Sequence, residues 1–191
     1  MTRHNLGWLV IEAFARKQGW SFKQDRHFDA RMAKGIIAEK TIQLVLPTTY
    51  MNLSGIALRR ILDFYKLDAH SLIVVTDDIA LSFGEIKLKM VGGAGGHKGL
   101  KSIEEQLGGE HYVRLRMGIG HPGQNVMADY VLDRFSQDEL KQLEPFVDKG
   151  VGVLERLITE SVSRVMNSVN ERKIDKKHPQ GDRENTTHDS K

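Results

Sequence analysis

The amino-acid sequence predicts an α/β fold, with a single three-layer α/β/α domain built around a twisted mixed sheet. Short β-branched or alternating runs are interleaved with amphipathic helical patterns along the chain, which is the order of elements typical of a sheet covered by helices. One run, SLIVV (71–75), is short and mostly apolar, as in a parallel strand that is buried on both faces. At 191 residues the chain has the length of one domain.

The first elements are a helix and two strands. Apolar residues recur at helical spacing from Asn5 onward, and Gly19 supplies a C-terminal stop signal. The β-branched runs GIIAE (35–39) and TIQLVL (41–46) predict either a hairpin or two consecutive strands. Pro47 ends the second run because proline cannot donate a hydrogen bond to a sheet.

A second helix is expected before the buried strand. Thr48 and Thr49 are its N-cap candidates. Its apolar stripe comprises Leu53, Ile56, Ile61, Leu62 and Tyr65. The strand SLIVV follows and ends in Asp77 and Asp78.

Two more strands, a glycine loop and a helix come next. GEIKLKM (84–90) alternates and predicts a half-exposed strand, and YVRLRMGIG (112–120) is another alternating strand. Between them, GGAGG (92–96) leads into a helix that extends to Leu107.

The last predicted helix opens with a capping box, in which Ser136 is followed three residues later by Glu139. Beyond Arg172 the text is polar and has one large apolar residue in nineteen. Such a segment cannot bury enough apolar surface to offset the entropy of ordering it. We therefore expect a domain over residues 1–171 and a disordered polar tail over 172–191.

Composition excludes several classes of function. The chain has no cysteine, which excludes disulfides, thiolate nucleophiles and cysteine-ligated metals. Its eight histidines form no HExxH motif and its acidic residues have no calcium-loop spacing, so we expect no metal. The sequence contains neither an apolar run of the ~20 residues that a bilayer requires nor a signal peptide, so we expect a cytoplasmic protein that does not contact membranes. A net charge of +3 permits nucleic-acid binding without indicating it.

Four polar segments fall at the ends of predicted elements: TRHN (2–5), PTTYMNLSG (47–55), TDD (76–78) and GGAGGHKGLKS (92–102). In open α/β sheets, functional groups gather in the crevice at the carboxyl ends of the strands. Together the segments offer an imidazole, a carboxylate, a side-chain amide and a loop rich in backbone N–H groups.

These groups suit a hydrolytic reaction. A histidine such as His4, held by a carboxylate, can act as a general base toward water. The amide of Asn52 can donate a hydrogen bond to a developing oxyanion. Simpler interpretations stay open: His4 is an ordinary surface histidine, Asp77 or Asp78 caps a strand, and Asn52 caps its helix.

The glycine loop is not a nucleotide-binding motif. Neither GxxxxGK[ST] nor GxGxxG can be laid on residues 91–101, and a structural loop is the better interpretation. Cations nevertheless surround it: Lys87, Lys89, Lys98, Lys101, Arg114 and Arg116. They suit a phosphate backbone, although a solvated sheet face explains them equally well.

Taken together, these segments resemble the bacterial-type peptidyl-tRNA hydrolase family. The matching text is TRHNLG (2–7), PTTYMNLSG (47–55), the aspartate after SLIVVT, GGAGGHKGLKSIEEQLG (92–108) and RLRMGIGHPG (114–123). The match covers residues 2 to about 165 in order and spacing. The resemblance implies a monomer that hydrolyses the ester between a peptide and the 3′-terminal ribose of tRNA, with no metal or cofactor.

The resemblance also implies site residues. His4 would be the general base, Asp77 its orienting carboxylate, and Asn52 the amide that holds substrate and water. Tyr50 and Met51 would line the peptide channel. The remaining assignments are His97 and Lys98 in the wall that receives the 3′ end, and Lys89, Arg116 and Lys101 on the 5′-phosphate of the acceptor stem.

The sequence departs from the family pattern in three places. Family members begin with a strand and a GLGNPG-like turn ahead of TRHN, so we expect this chain to be an N-terminally truncated form. Such a form lacks an interior strand together with a substrate-contacting asparagine and a tyrosine, and we expect it to be unstable and weakly active compared with an upstream-extended form. Lys98 replaces the usual asparagine, and Ala80 stands where some members carry a second acidic residue.

Two other functions remain as alternatives. The first is an RNA-binding paralogue or truncated product with impaired catalysis or none, because a fold alone does not establish a reaction. The second is a generic serine hydrolase, which the absence of GxSxG disfavours. The presence of His4, Asn52 and Asp77 favours the esterase.

Overall fold

The computed structural model describes residues 2–121, 123 and 127–171. Its elements in chain order are α1 (Leu6–Lys17), β1 (Lys23–Asp25), β2 (Ala30–Ile37), β3 (Lys40–Pro47), α2 (Ser54–Tyr65), β4 (Ile73–Asp78), β5 (Ile86–Lys89), α3 (Lys98–Leu107), β6 (Val113–Gly118), α4 (Met127–Leu132), α5 (Gln137–Thr159) and α6 (Val162–Asn170). The predicted α/β class is confirmed. The expected polar tail, 172–191, lies outside the described residues.

Over the described residues, six strands form two three-stranded sheets rather than the one sheet expected. The first has the order β1-β2-β3 and is antiparallel throughout. The second has the order β4-β6-β5 and is mixed, because β4 runs parallel to β6 and β5 antiparallel to it. Helix α1 packs against both β3 and β4. It therefore links the two sheets into one body.

The strands β2 and β3 form a hairpin, which resolves one of the alternatives left open by the sequence. Ile37 pairs with Lys40 across a two-residue turn. The turn residues Ala38 and Glu39 have φ values of 48° and 62°. Positive φ at both positions gives a tight turn whose twist matches that of the strands. The short strand β1 on the outer edge was not predicted.

The predicted start of α2 was wrong. A 3-10 turn, Met51–Leu53, precedes the helix, which has no side-chain cap. Thr48 instead donates its backbone N–H to the carbonyl of Asp29 at 2.7 Å. Of the predicted apolar stripe, Leu53 and Tyr65 are exposed. The buried face of α2 comprises Gly55, Ala57, Leu58, Ile61 and Leu62.

Strand β6 is more deeply buried than its alternating sequence suggests. It lies between β4 and β5 in its sheet, and five of its six residues are buried. The main core joins β6 to α1 and α5 through Leu115, Met117, Val10, Phe14 and Phe146. The arginine at position 114 is 1% exposed. A central strand can thus carry polar side chains that the fold encloses.

Helix α5 begins with the predicted capping box. Ser136 donates its N–H to Glu139 Oε2 at 2.6 Å, and Glu139 donates its own N–H to Ser136 Oγ at 3.2 Å. Within the described part of the chain, no helix combines the length and the apolar character needed to span a bilayer.

Candidate active site

His4 is held in a 3-10 turn, Arg3–Asn5, directly before α1. The neighbouring Arg3 is buried and donates to the carbonyl of Arg134 at 2.6 Å and to Glu139 Oε2 at 2.8 Å. Its guanidinium also lies 4.4 Å from the ring centroid of Tyr130. These contacts fix the backbone beside His4. The imidazole therefore projects from a firmly anchored turn.

Asp77 meets His4 at the carboxyl end of β4. Parallel pairing with β6 places Asp77 opposite Met117, and the aspartate is 6% exposed. His4 Nδ1 lies 2.9 Å from Asp77 Oδ1. A hydrogen bond of this length to a carboxylate favours a proton on Nδ1, which leaves Nε2 of a neutral His4 as an acceptor.

His97 contacts the same carboxylate oxygen. Its Nε2 lies 3.3 Å from Asp77 Oδ1, and the centroids of the His4 and His97 rings are 4.8 Å apart. His97 is also the N-cap of α3, where its Nδ1 accepts the backbone N–H groups of Gly99 and Leu100 at 3.1 and 3.2 Å. We refer to these three side chains as the His4–Asp77–His97 cluster.

The cluster keeps Asp77 ionised. Burial by itself would raise the pKa of Asp77, but hydrogen bonds from His4 and His97 and the charges of the two rings outweigh it and lower the pKa from 3.8 to about 2. The carboxylate is thus a permanent acceptor at neutral pH.

The same three residues are a group that could hold a metal ion. Their candidate ligand atoms all lie within 4.8 Å of one another. His4 Nδ1 and His97 Nε2, however, both face the carboxylate at hydrogen-bonding distance. Proton-mediated contacts therefore account for the arrangement of the cluster.

Asn52 lines a cavity of about 480 Å³. The cavity is lined by Asn52, Lys98, Lys101, Ser102 and Glu105. Lys98 follows the cluster's His97 directly in the chain. One residue of the cavity wall is thus the chain neighbour of a residue of the cluster.

Met51 connects the 3-10 turn to the cluster. A Cβ atom at Gly99 would overlap Met51 Sδ and would lie 3.0 Å from Cε1 of His97. The methionine therefore packs against the first turn of α3, next to His97. Tyr50, by contrast, is 83% exposed.

The cations of β5 and β6 share one face of the sheet. Lys87 pairs with Arg116 and Lys89 with Arg114. Arg114 is enclosed, because it pairs with Glu104 at 3.3 Å and its guanidinium lies 4.1 Å from the ring centroid of Tyr112. The charge of Arg114 is therefore paired within the fold.

Lys89 and Arg116 approach the glycine loop. A Cβ at Gly92 would lie 4.0 Å from Lys89 Cδ, and one at Gly95 would lie 4.0 Å from Arg116 Nη2. The two side chains are diagonal neighbours on adjacent strands, a separation that long side chains can bridge. Lys101 lines the cavity with Asn52.

Two contacts of the site were not predicted from the sequence. Arg116 Nε forms an ion pair with Asp78 Oδ2 at 2.6 Å, and His97 Nε2 lies 3.3 Å from Asp77 Oδ1. The alternation of side chains along a strand could have indicated the contact between Arg116 and Asp78. Consecutive residues of a strand point to opposite faces, so Asp77 and Asp78 serve different partners.

Known proteins resemble this chain over nearly its whole length. The family model described as peptidyl-tRNA hydrolase matches residues 1–177. A peptidyl-tRNA hydrolase of Levilactobacillus brevis is 39% identical over 170 residues, which are 88% of this chain and 91% of the relative. One of Cytophaga hutchinsonii is 41% identical over 90% of this chain and 91% of the relative.

A solved structure has the same fold. The crystal structure of peptidyl-tRNA hydrolase from Acinetobacter baumannii superposes with a TM-score of 0.83 and 34% sequence identity, covering 88% of this chain and 86% of that one. Sequence and structure agree, and the chain belongs to the peptidyl-tRNA hydrolase family.

Proposed function

We propose that this chain hydrolyses the ester bond between peptide and tRNA in peptidyl-tRNA and so releases tRNA for reuse in translation. The observation that carries the proposal is the 2.9 Å contact between His4 Nδ1 and Asp77 Oδ1 in a member of this family. It provides a histidine whose second nitrogen is available as a base. The proposal places the enzyme in the cytoplasm, where translation occurs, as a monomer.

The reaction begins with water bound beside His4 Nε2. The imidazole removes a proton from the water as the oxygen attacks the ester carbonyl carbon, and Asp77 stabilises the resulting imidazolium. The attack gives a tetrahedral intermediate with a negatively charged oxygen. The bond to the ribose oxygen then breaks, and His4 returns its proton to the departing 3′-hydroxyl. The products are a free carboxylic acid and intact tRNA.

Asn52 would hold the substrate and the attacking water. Its side-chain amide can donate a hydrogen bond to the carbonyl oxygen as negative charge develops there. Asn52 shares its cavity with Lys98, the residue that follows His97, and this placement supports the role. Lys98, in the same cavity, would contact the 3′ end of the tRNA.

The remaining assigned residues would position the two arms of the substrate. Lys89 and Arg116 would grip the 5′-phosphate of the acceptor stem, and Lys101 would add a further contact to the backbone. Tyr50 and Met51 would contact the peptide. An exposed aromatic ring and a thioether suit peptide side chains of varied shape.

Single-turnover hydrolysis tests the proposal. We expect the chain to release N-acetylamino acid from N-acetylaminoacyl-tRNA and to leave free aminoacyl-tRNA largely intact, because an apolar peptide site disfavours a charged ammonium group. A chain that binds N-acetylaminoacyl-tRNA without cleaving it would contradict the proposal and indicate an RNA-binding module. Equal cleavage of both substrates would contradict the peptide assignment.

A further inference from the structure

The His97 ring is engaged at both of its nitrogens, by two different elements. Its Nδ1 accepts the backbone N–H groups of Gly99 and Leu100 at the start of α3. Its Nε2 lies 3.3 Å from Asp77 Oδ1 at the end of β4. The side chain is only 14% exposed. A single imidazole thus connects the first turn of α3 to the carboxylate that holds His4.

These partners fix the tautomer of the ring. A nitrogen that accepts two N–H groups carries no proton, so the proton of neutral His97 lies on Nε2 and points at the carboxylate. His4 has the opposite arrangement, because its Nδ1 faces Asp77. The two histidines of the cluster should therefore be opposite tautomers that donate to the same oxygen.

We propose that His97 is a positioning residue, which holds the Asp77 carboxylate in the orientation that His4 requires. The inference rests on the proposed function, since it concerns the geometry of the general base. His97 acts through Asp77, and its two hydrogen bonds to α3 keep its own ring from rotating. The rate of the chemical step then depends on a helix cap.

The physical reason is the freedom of a carboxylate with one donor. A carboxylate bound only by His4 can rotate about its Cβ–Cγ bond and carry the imidazole with it. A second donor on Oδ1, itself fixed by the backbone of α3, removes that rotation. General-base catalysis is sensitive to such displacements, because a shift of ~1 Å can lower the rate by about 100-fold.

The tautomers can be measured directly. In the full chain with 15N-labelled histidine, the imidazole nitrogen chemical shifts at neutral pH should show Nε2–H for His97 and Nδ1–H for His4. This measurement does not require catalysis, so it stands whether or not peptidyl-tRNA is cleaved. A proton on Nδ1 of neutral His97 would overturn the proposal.

Three substitutions separate the two hydrogen-bonding roles of His97. In His97→Asn the amide oxygen replaces Nδ1 as helix cap, whereas in His97→Gln the amide nitrogen replaces Nε2 as donor to Asp77. His97→Ala removes both. We expect Asn and Ala to lower kcat by about 10-fold to 100-fold with little change in KM, and Gln to restore part of the loss, because it returns the donor to Asp77 without the helix cap. The melting temperature should instead depend on whether the side chain still caps α3. The Asn variant should therefore melt near the wild type, and the Ala variant ~2–4 °C lower.

The kinetic constants and melting temperatures of these variants together test the positioning role of His97. Equal kcat values in all variants, a loss of kcat that Gln does not restore, or an effect confined to KM would each overturn the positioning role. An effect confined to KM would return His97 to the substrate wall. If the wild-type chain does not cleave peptidyl-tRNA, the proposed function fails, and the chemical shifts still report on the His97 arrangement.

Discussion

Asp77 and Asp78 show how adjacent residues acquire different tasks. Asp77 is bound by two imidazoles, whereas Asp78 forms an ion pair with Arg116. The alternation of a strand separates them, since one faces the cluster and the other faces the cationic side of the sheet. The pair at the end of β4 therefore connects the proposed chemistry with the proposed phosphate contact.

Replacing Asp77 by asparagine should reveal the stability that its charge contributes. The folded-state pKa of about 2 lies below the ordinary aspartate value of 3.8. A lowered pKa stabilises the fold above pH 3.8, and this stabilisation is lost as the pH falls toward 2. From the shift we expect a contribution of ~2 kcal/mol at neutral pH.

Denaturant unfolding across this pH range checks the prediction. The difference in unfolding free energy between the wild type and Asp77→Asn should shrink between pH 4 and pH 2 by this amount. The exposed Asp138→Asn serves as a control, because its side chain is 86% exposed and pairs only weakly with Lys141. A difference that stays constant down to pH 2 would contradict the account.

For the individual helices and strands, sequence patterns predicted the features that depend on residues close in the chain. They did not predict burial that depends on other helices and strands. They predicted α1, the strands β2 and β3 with a hairpin as one of two alternatives, and the capping box of α5, because each depends on residues close in sequence. They missed the 3-10 turn before α2 and the burial of five of the six residues of β6. The enclosure of Arg114 requires Glu104 and Tyr112, and their positions follow from the fold.

Arg116 tests the function of the β5–β6 face. Arg116→Ala should weaken tRNA binding and reduce the slope of log Kd against log salt by about 1, because one phosphate contact is lost. The matched control is Lys141→Ala, an exposed cation on α5, which should leave binding unchanged. Filter binding of uncleaved tRNA over a series of salt concentrations measures both. A fall in kcat with an unchanged salt slope would contradict the phosphate assignment.

Asn170 protects the edge of β5. Its amide accepts the N–H of Leu88 and donates to the carbonyl of Leu88, both at 2.9 Å, as a neighbouring strand would. Asn170→Asp keeps the acceptor but places a carboxylate against the carbonyl oxygen. We expect a loss of ~1 kcal/mol of unfolding free energy. Asn167→Asp, exposed on the same last turns of α6, should cost less, and an equal cost in the two variants would argue against edge protection.

At the scale of the whole molecule, α1 determines where His4 lies. The helix packs on β3, β4 and α5, and Gly7 lets it approach β4 closely, since a Cβ there would overlap the carbonyl oxygen of Val75. The sequence predicted α1 and offered His4 as a base candidate. The close approach that carries His4 to Asp77 could not be read from it, because the approach depends on residues about 70 positions apart.

Gly7→Ala should therefore damage both stability and activity. The added methyl group forces α1 away from β4, which we expect to cost ~1–3 kcal/mol and to separate His4 from Asp77. Gly152→Ala is the matched control, because it lies within α5 with no atom within 4 Å of the new Cβ, and it should be neutral or stabilising by up to ~1 kcal/mol. Thermal unfolding and turnover of the two variants would decide, and a Gly7→Ala protein as active and stable as the control would contradict this view of α1.

As the proposed general base of peptidyl-tRNA hydrolysis, His4 should be required for the chemical step and not for binding. Single-turnover cleavage of N-acetylaminoacyl-tRNA should be slower in His4→Ala than in the wild type by about 100-fold or more. Binding of tRNA should be unchanged, because the lost imidazole acts on water. A His4→Ala protein that cleaves at the wild-type rate would contradict the account, as would one whose loss of activity comes entirely from weaker binding.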